Sequence, residues 1–166
     1  GLAKRPGLQG PIDDAFMDPF VMVRPTSHSL SERTGKWTEA QLRQAISDWE
    51  LQFRGKPKLI KDTELSEHHI KNSNLILWGD TASNSAIAKI IDQLPLQWTH
   101  STLSLGNVEV GANSHVPVLI FPTPLNPNRY VVLNSGFTFS RCGHMSNATQ
   151  TPKLPDWALV DITKPY

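Results

Sequence analysis

Asn74-Leu75-Ile76-Leu77-Trp78, closed by Gly79-Asp80-Thr81-Ala82-Ser83, decides the fold class. Four consecutive apolar residues without an alternating polar partner describe a strand buried on both faces, as in a parallel sheet covered by helices. The small and polar residues that follow turn the chain. A helix is then expected from about Asn84 to Leu94, burying Ile87, Ile90, Ile91 and Leu94, with Pro95 as its stop.

Working outward, Phe20-Val21-Met22-Val23 is a second continuous apolar run, ended by Arg24-Pro25-Thr26. Between the two runs lies a helical stripe of Leu42, Ala45, Ile46, Trp49 and Phe53. Thr38-Glu39-Ala40-Gln41 reads as its capping box, and Gly55 with Pro57 as its end. Lys58 to Lys61 can form a strand, and Ser66 can cap a short helix through Ile70. Strands alternating with helices in this way predict right-handed crossovers and a parallel sheet.

The rhythm changes after Pro95. Leu103-Ser104-Leu105 and Val108-Glu109-Val110 flank Gly106-Asn107 and predict a tight hairpin. Val116 to Phe121 reads as a core strand broken at Pro122. Pro124 to Asn128 forms a turn, Tyr130 to Leu133 returns as a strand, and Trp157 to Val160 is the last one. Asn134 to Pro155 crosses between them with one short helical turn. The expected architecture is α/β: a three-layer, Rossmann-like sandwich with a mixed, mostly parallel sheet and a β-hairpin insertion. Residues 1–19, with Pro6, Gly7, Gly10, Pro11 and Pro19, read as an extended lead-in, and 20–166 as a single domain. Gly1 reads as a remnant of tag removal, so the chain is expected to be a fragment of a longer one.

At 166 residues the chain can bury a core without disulfides or metals. Its 16 basic and 15 acidic residues include no long basic run, so no phosphate-tracking nucleic-acid surface is expected. No apolar stretch reaches membrane-spanning length. Cys142 stands alone, which excludes an intrachain disulfide.

Several segments together resemble a known family. Gly7 to Met17, Asn74 to Asp80, the turn Pro124 to Tyr130 with Val131 to Gly136, and Pro152 to Trp157 look like a C-terminal region of prolyl-oligopeptidase-like proteins of planctomycetes and related bacteria. The resemblance covers nearly the whole chain. It implies a parent that is an exported serine hydrolase, periplasmic or extracellular, with its catalytic domain elsewhere. No nucleophile motif of that family falls on a position of this chain, so no catalytic residue carries over.

Candidate chemistry reads sparsely. Leu133-Asn134-Ser135-Gly136-Phe137 lacks the Gly-x-Ser-x-Gly register of a nucleophile elbow, leaving Ser135 as a turn hydroxyl. The loops after Val23 and Trp78 lack the glycine triplet a dinucleotide needs, so no cofactor is expected. A simple anion could sit at the helix start near Asn84, although Ser83 or Asn84 more simply caps it. Adjacent His68 and His69 diverge on a helix, and the other histidines are scattered, so no metal is expected. Arg141 and His144 could lower the Cys142 thiol pKa, but nothing in the sequence orients them.

One topological argument remains. Ligands of open parallel sheets gather beyond the carboxyl ends of the strands. If strands 20–23, 74–78 and 130–133 are neighbours, Arg24, Thr26, Asp80, Ser83, Asn84, Asn134 and Ser135 share that edge. Two functions follow. The favoured one is a non-catalytic accessory domain packed on the catalytic domain of its parent chain, with an exposed apolar patch at Phe16, Met17 and Phe20. The alternative is a small-molecule or cryptic hydrolase site at the carboxyl edge, with a pocket around Asp80 or a histidine bonded to Ser135.

Overall fold

The computed structural model describes residues 12–137, 145–146 and 157–164. The anticipated Cys142, with Arg141 and His144, lies outside the described residues, as do the first eleven residues of the lead-in. So does most of the expected crossover with its helical turn.

The chain runs β1 (Phe20–Arg24), α1 (Glu32–Phe53), β2 (Leu59–Lys61), α2 (Glu67–Asn72), β3 (Asn74–Leu77), α3 (Ser85–Ile90), β4 (Leu96–Trp98), β5 (Thr102–Leu105), β6 (Val108–Gly111), β7 (His115–Thr123), β8 (Asn126–Leu133), β9 (Met145–Ser146) and β10 (Trp157–Asp161). Among the described residues seven strands form one sheet in the order β2-β1-β3-β8-β7-β10-β9. The first four are mutually parallel, which requires the crossovers carrying α1, α2 and α3. β7 opposes β8, β10 opposes β7, and β9 opposes β10. Five strands therefore point one way, and the sheet is mixed but mostly parallel. A separate antiparallel sheet, β4-β5-β6, contains the expected hairpin at Gly106-Asn107.

Alternation along the central strands sends side chains to two cores. Val21, Val23, Leu75, Leu77, Val131 and Leu133 meet Ile70 of α2, Ile87 and Ile90 of α3, and Leu103 and Leu105 of the small sheet. Met22, Ile76, Val132, Val118 and Ile120 meet Trp37, Leu42 and Ala45 of α1. β3 is buried at all four residues, as an uninterrupted apolar run demands.

Local departures from the sequence reading have clear causes. α1 begins at Glu32, six residues before Thr38. Ser31 is its N-cap, accepting from the Thr34 amide at 3.1 Å, and Thr38 lies inside the helix, buried. β7 does not break at Pro122 but runs on to Thr123, with a register shift between the two. Proline is accommodated because a bulge removes the demand for its missing amide. Leu96 to Trp98, not anticipated as a strand, pairs with β5. Within the stretch read as extended lead-in, Ile12–Phe16 coils into a 3-10 turn that buries Ile12, Ala15 and Phe16.

Candidate functional site

Since β1, β3 and β8 are adjacent and parallel, the loops that follow them meet at one edge of the sheet. Asp80, Ser83, Asn84 and Asn134 are all nearly inaccessible there. Their polar atoms are directed inward, at the backbone. Asp80 Oδ1 accepts from the Ser83 amide at 2.8 Å and the Ala82 amide at 3.0 Å. Its Oδ2 accepts from Leu30 N at 2.8 Å, which ties the β3 turn to the segment before α1. Ser83 Oγ returns a bond by accepting from Asp80 N.

Asn84 is the N-cap of α3. Its Oδ1 accepts from the Ala86 and Ile87 amides, while Nδ2 donates to the carbonyls of Val23 and Trp78. The remaining amide, Ser85 N, donates to Asp62 Oδ2 at 2.7 Å, and Thr26 Oγ1 donates to Asp62 Oδ1 at 2.6 Å. Burial pushes the Asp62 carboxyl up. The bonds from Ser85 and Thr26 outweigh it and hold the group below the usual carboxylate range. The start of α3, expected as a possible anion seat, is thus filled by side chains of the protein itself.

Asn134 stands in the left-handed region at φ 57°. Its side chain accepts from Gly79 N at 2.7 Å and donates to Gly79 O at 2.9 Å and Pro117 O at 3.3 Å. Ser135 Oγ donates to the Gly136 carbonyl at 2.9 Å. The structure therefore links Thr26, Asp80, Ser83, Asn84 and Asn134 through short bonds around one turn. Ser135 lies beside Asn134 but is turned to its own backbone. Arg24, half-buried, ends β1 opposite Lys61 in register. Sequence reasoning missed Asp62, whose part depends on the packing of a distant turn.

Two surface features stand out, a groove near this edge and an aromatic cluster at the opposite end of the sheet, where β1 begins and α1 ends. A groove of about 600 Å³ lies where α1 begins and β10 ends, lined by Ser31, Arg33, Lys36, Trp37, Asn113 and Ile162 among others. Arg33 Nη1 donates to Asn113 O at 3.3 Å, and Lys36 pairs with Glu32 at 3.1 Å in an exposed ion pair. Ser31 followed by Glu32 is a helix-start signature that could have located it.

The second feature is a cluster of five aromatic rings. Phe20 meets Trp49 edge-on at 4.7 Å, Trp49 meets Phe53 at 4.1 Å, and Phe137 lies 5.5 Å from Phe53 and 5.6 Å from Trp49. Phe16 closes the group against Phe20 at 4.8 Å. Phe16 is buried, Phe20, Trp49 and Phe137 are half-buried, and Phe53 is 46% exposed. Met17, next to Phe16 in the chain, is 68% exposed.

Among the described residues no three His, Cys, Asp or Glu side chains group as a metal site, and no helix is long and apolar enough to cross a membrane. No family model, curated protein or solved structure matches this chain.

Proposed function

We propose that the chain is a three-layer, Rossmann-like interaction domain without catalytic machinery of its own, docking through the aromatic cluster. The observation that carries the reading is the contrast between its two faces. The side chains of Asp80, Ser83, Asn84 and Asn134 at the carboxyl edge are bonded to backbone, whereas rings at Phe53, Trp49 and Phe137 keep part of their surface in water. Partly exposed aromatic groups are the usual anchors of a docking surface. The partner is the catalytic domain of the same parent chain. The resemblance to prolyl-oligopeptidase-like C-terminal regions supports that choice, and an exported parent would place the pair in the periplasm or outside the cell.

The test is made in the full parent chain. Phe53→Glu and Met17→Glu should leave the fold of this domain intact. They should separate its thermal unfolding from that of the catalytic domain and lower esterase activity. Unchanged activity and a single unchanged transition in both variants would refute the docking role.

The groove beside α1 favours a second reading, a small-molecule site at the carboxyl edge. Its volume falls in the range of ligand pockets, and among its charged lining residues Arg33 and Lys36 outnumber Glu32, which suits an anionic ligand held by Arg33. Small carboxylates and phosphates should then raise the melting temperature, and Arg33→Ala should cancel that rise. The absence of any such shift counts against this reading.

A further inference from the structure

Helix α2 carries an unusual cap. Ser66 is its N-cap, and His69, three residues on, fills the place ordinarily taken by Glu or Gln. The Ser66 backbone amide donates to His69 Nδ1 at 3.1 Å, and Ser66 Oγ lies 3.0 Å from the same nitrogen. In return His69 N donates to Ser66 Oγ at 3.5 Å. The box requires a lone pair on Nδ1, so the ring must be neutral with its proton on Nε2. Protonation places a hydrogen on Nδ1, facing the Ser66 N–H. Unlike a carboxylate or amide in the same position, this acceptor vanishes within a mildly acidic range.

We propose that the first turn of α2 is an acid-released latch, held by neutral His69 and opened when the imidazole takes a second proton. On balance the surroundings act in the same direction. Burial disfavours the imidazolium most, Lys58 and His68 add to that, and Glu64 opposes them weakly, so the pKa falls below the ordinary 6.5. Glu64 is itself occupied in accepting from Lys61 N at 2.7 Å. On the elements packed against α2, β8 brings Arg129 on the sheet face shared with Val131, and β3 brings no charged group. On α2 itself Glu67 adds an anion in the first turn and Lys71 a cation in the last.

The sign follows from the direction of the shift. The folded state binds the proton less readily than the unfolded chain. The latch therefore contributes fully above about pH 6.5 and is lost as pH falls through the folded value. The far end of the helix is anchored separately, because Asn126 Nδ2 donates to the Ile70 and Lys71 carbonyls at 3.2 and 3.4 Å. Acid should thus loosen the first turn without releasing the whole helix.

The experiment follows hydrogen exchange of the Ile70 amide, which donates to Ser66 O at 3.1 Å, together with an NMR titration of the imidazole. Between pH 7.5 and 5.5 protection should fall about fivefold, the effect of losing one ordinary cap. The Ser66 amide shift should titrate together with His69. His69→Gln restores a non-titrating box and should hold protection constant, while His68→Gln should keep the acid response. A pH response that survives in His69→Gln, or a Ser66 amide indifferent to His69 titration, would overturn the latch.

Discussion

Asn134 acts as a rung of the sheet beyond the end of the strands. The β3–β8 register ends at Leu77 and Leu133, and Asn134 N still donates to Leu77 O at 2.9 Å. Past that point its side-chain amide replaces a backbone neighbour, bonding both the N–H and the C=O of Gly79. Glycine is needed opposite, because at φ 114° an added Cβ would fall 2.5 Å from Ser83 Oγ. Asn134→Asp keeps the shape but removes the donor, leaving two buried carbonyls facing a carboxylate. We expect a loss of about 3 kcal/mol, one to three for each group left unsatisfied. Urea unfolding checks it through a lower midpoint at unchanged slope. A midpoint equal to that of the unsubstituted chain would mean that water reaches this turn. The role was invisible in sequence, where Asn134 and Ser135 read only as polar residues following a strand. The partners of Asn134, Gly79 and Pro117, lie 55 and 17 positions away.

Helices and strands differ in how far local pattern specified them. β1 and β3 were legible because runs of large apolar residues suit a doubly covered strand, and both cores supply that cover. The end of α1 was legible in part. Arg54, before Gly55, takes the left-handed cap, and its amide bonds Glu50 O. The start is ambiguous in sequence because Thr38-x-x-Gln41 satisfies the box pattern as well as Ser31-Glu32 marks a start, and burial of Thr34 and Trp37 favours the earlier one. The carboxyl edge is legible only in outline: alternating strands and helices point to a parallel sheet, whereas the adjacency of β1, β3 and β8 is set by tertiary pairing. Whether its polar groups were free depended on Leu30, Asp62 and the start of α3, which no local pattern joins. The two candidate caps of α1 separate cleanly by substitution. Ser31→Ala should cost about 1 kcal/mol, as caps generally do. Thr38→Val should cost less than about 0.5 kcal/mol or stabilise, because Thr38 Oγ1 is buried with no hydrogen-bond partner among the described residues. Thermal unfolding of the two variants, with the reverse ranking, would restore the later helix start.

At the scale of the whole molecule, the aromatic cluster joins parts of the chain that lie far apart in sequence. Phe16 comes from the 3-10 turn before β1, Trp49 and Phe53 from the last turns of α1, and Phe137 from the segment after β8. Close approach is enforced nearby, where a Cβ on Gly136 would stand 2.8 Å from that of Ala45. The cluster is therefore both a surface and a seam, and its inner ring belongs to the α1-side core. That assigns Phe16 a structural task that a linker residue would lack. Phe16→Ala removes a ring that is 3% exposed and in edge contact with Phe20. We expect a loss of about 3–5 kcal/mol, the usual range for an emptied aromatic site. Phe53, nearly half in water, should lose much less on the same truncation, since most of its transfer from solvent is incomplete. Denaturant unfolding of the two alanine variants measures the difference directly. Equal, small losses would return residues 12–16 to the status of a lead-in and detach the cluster from the core.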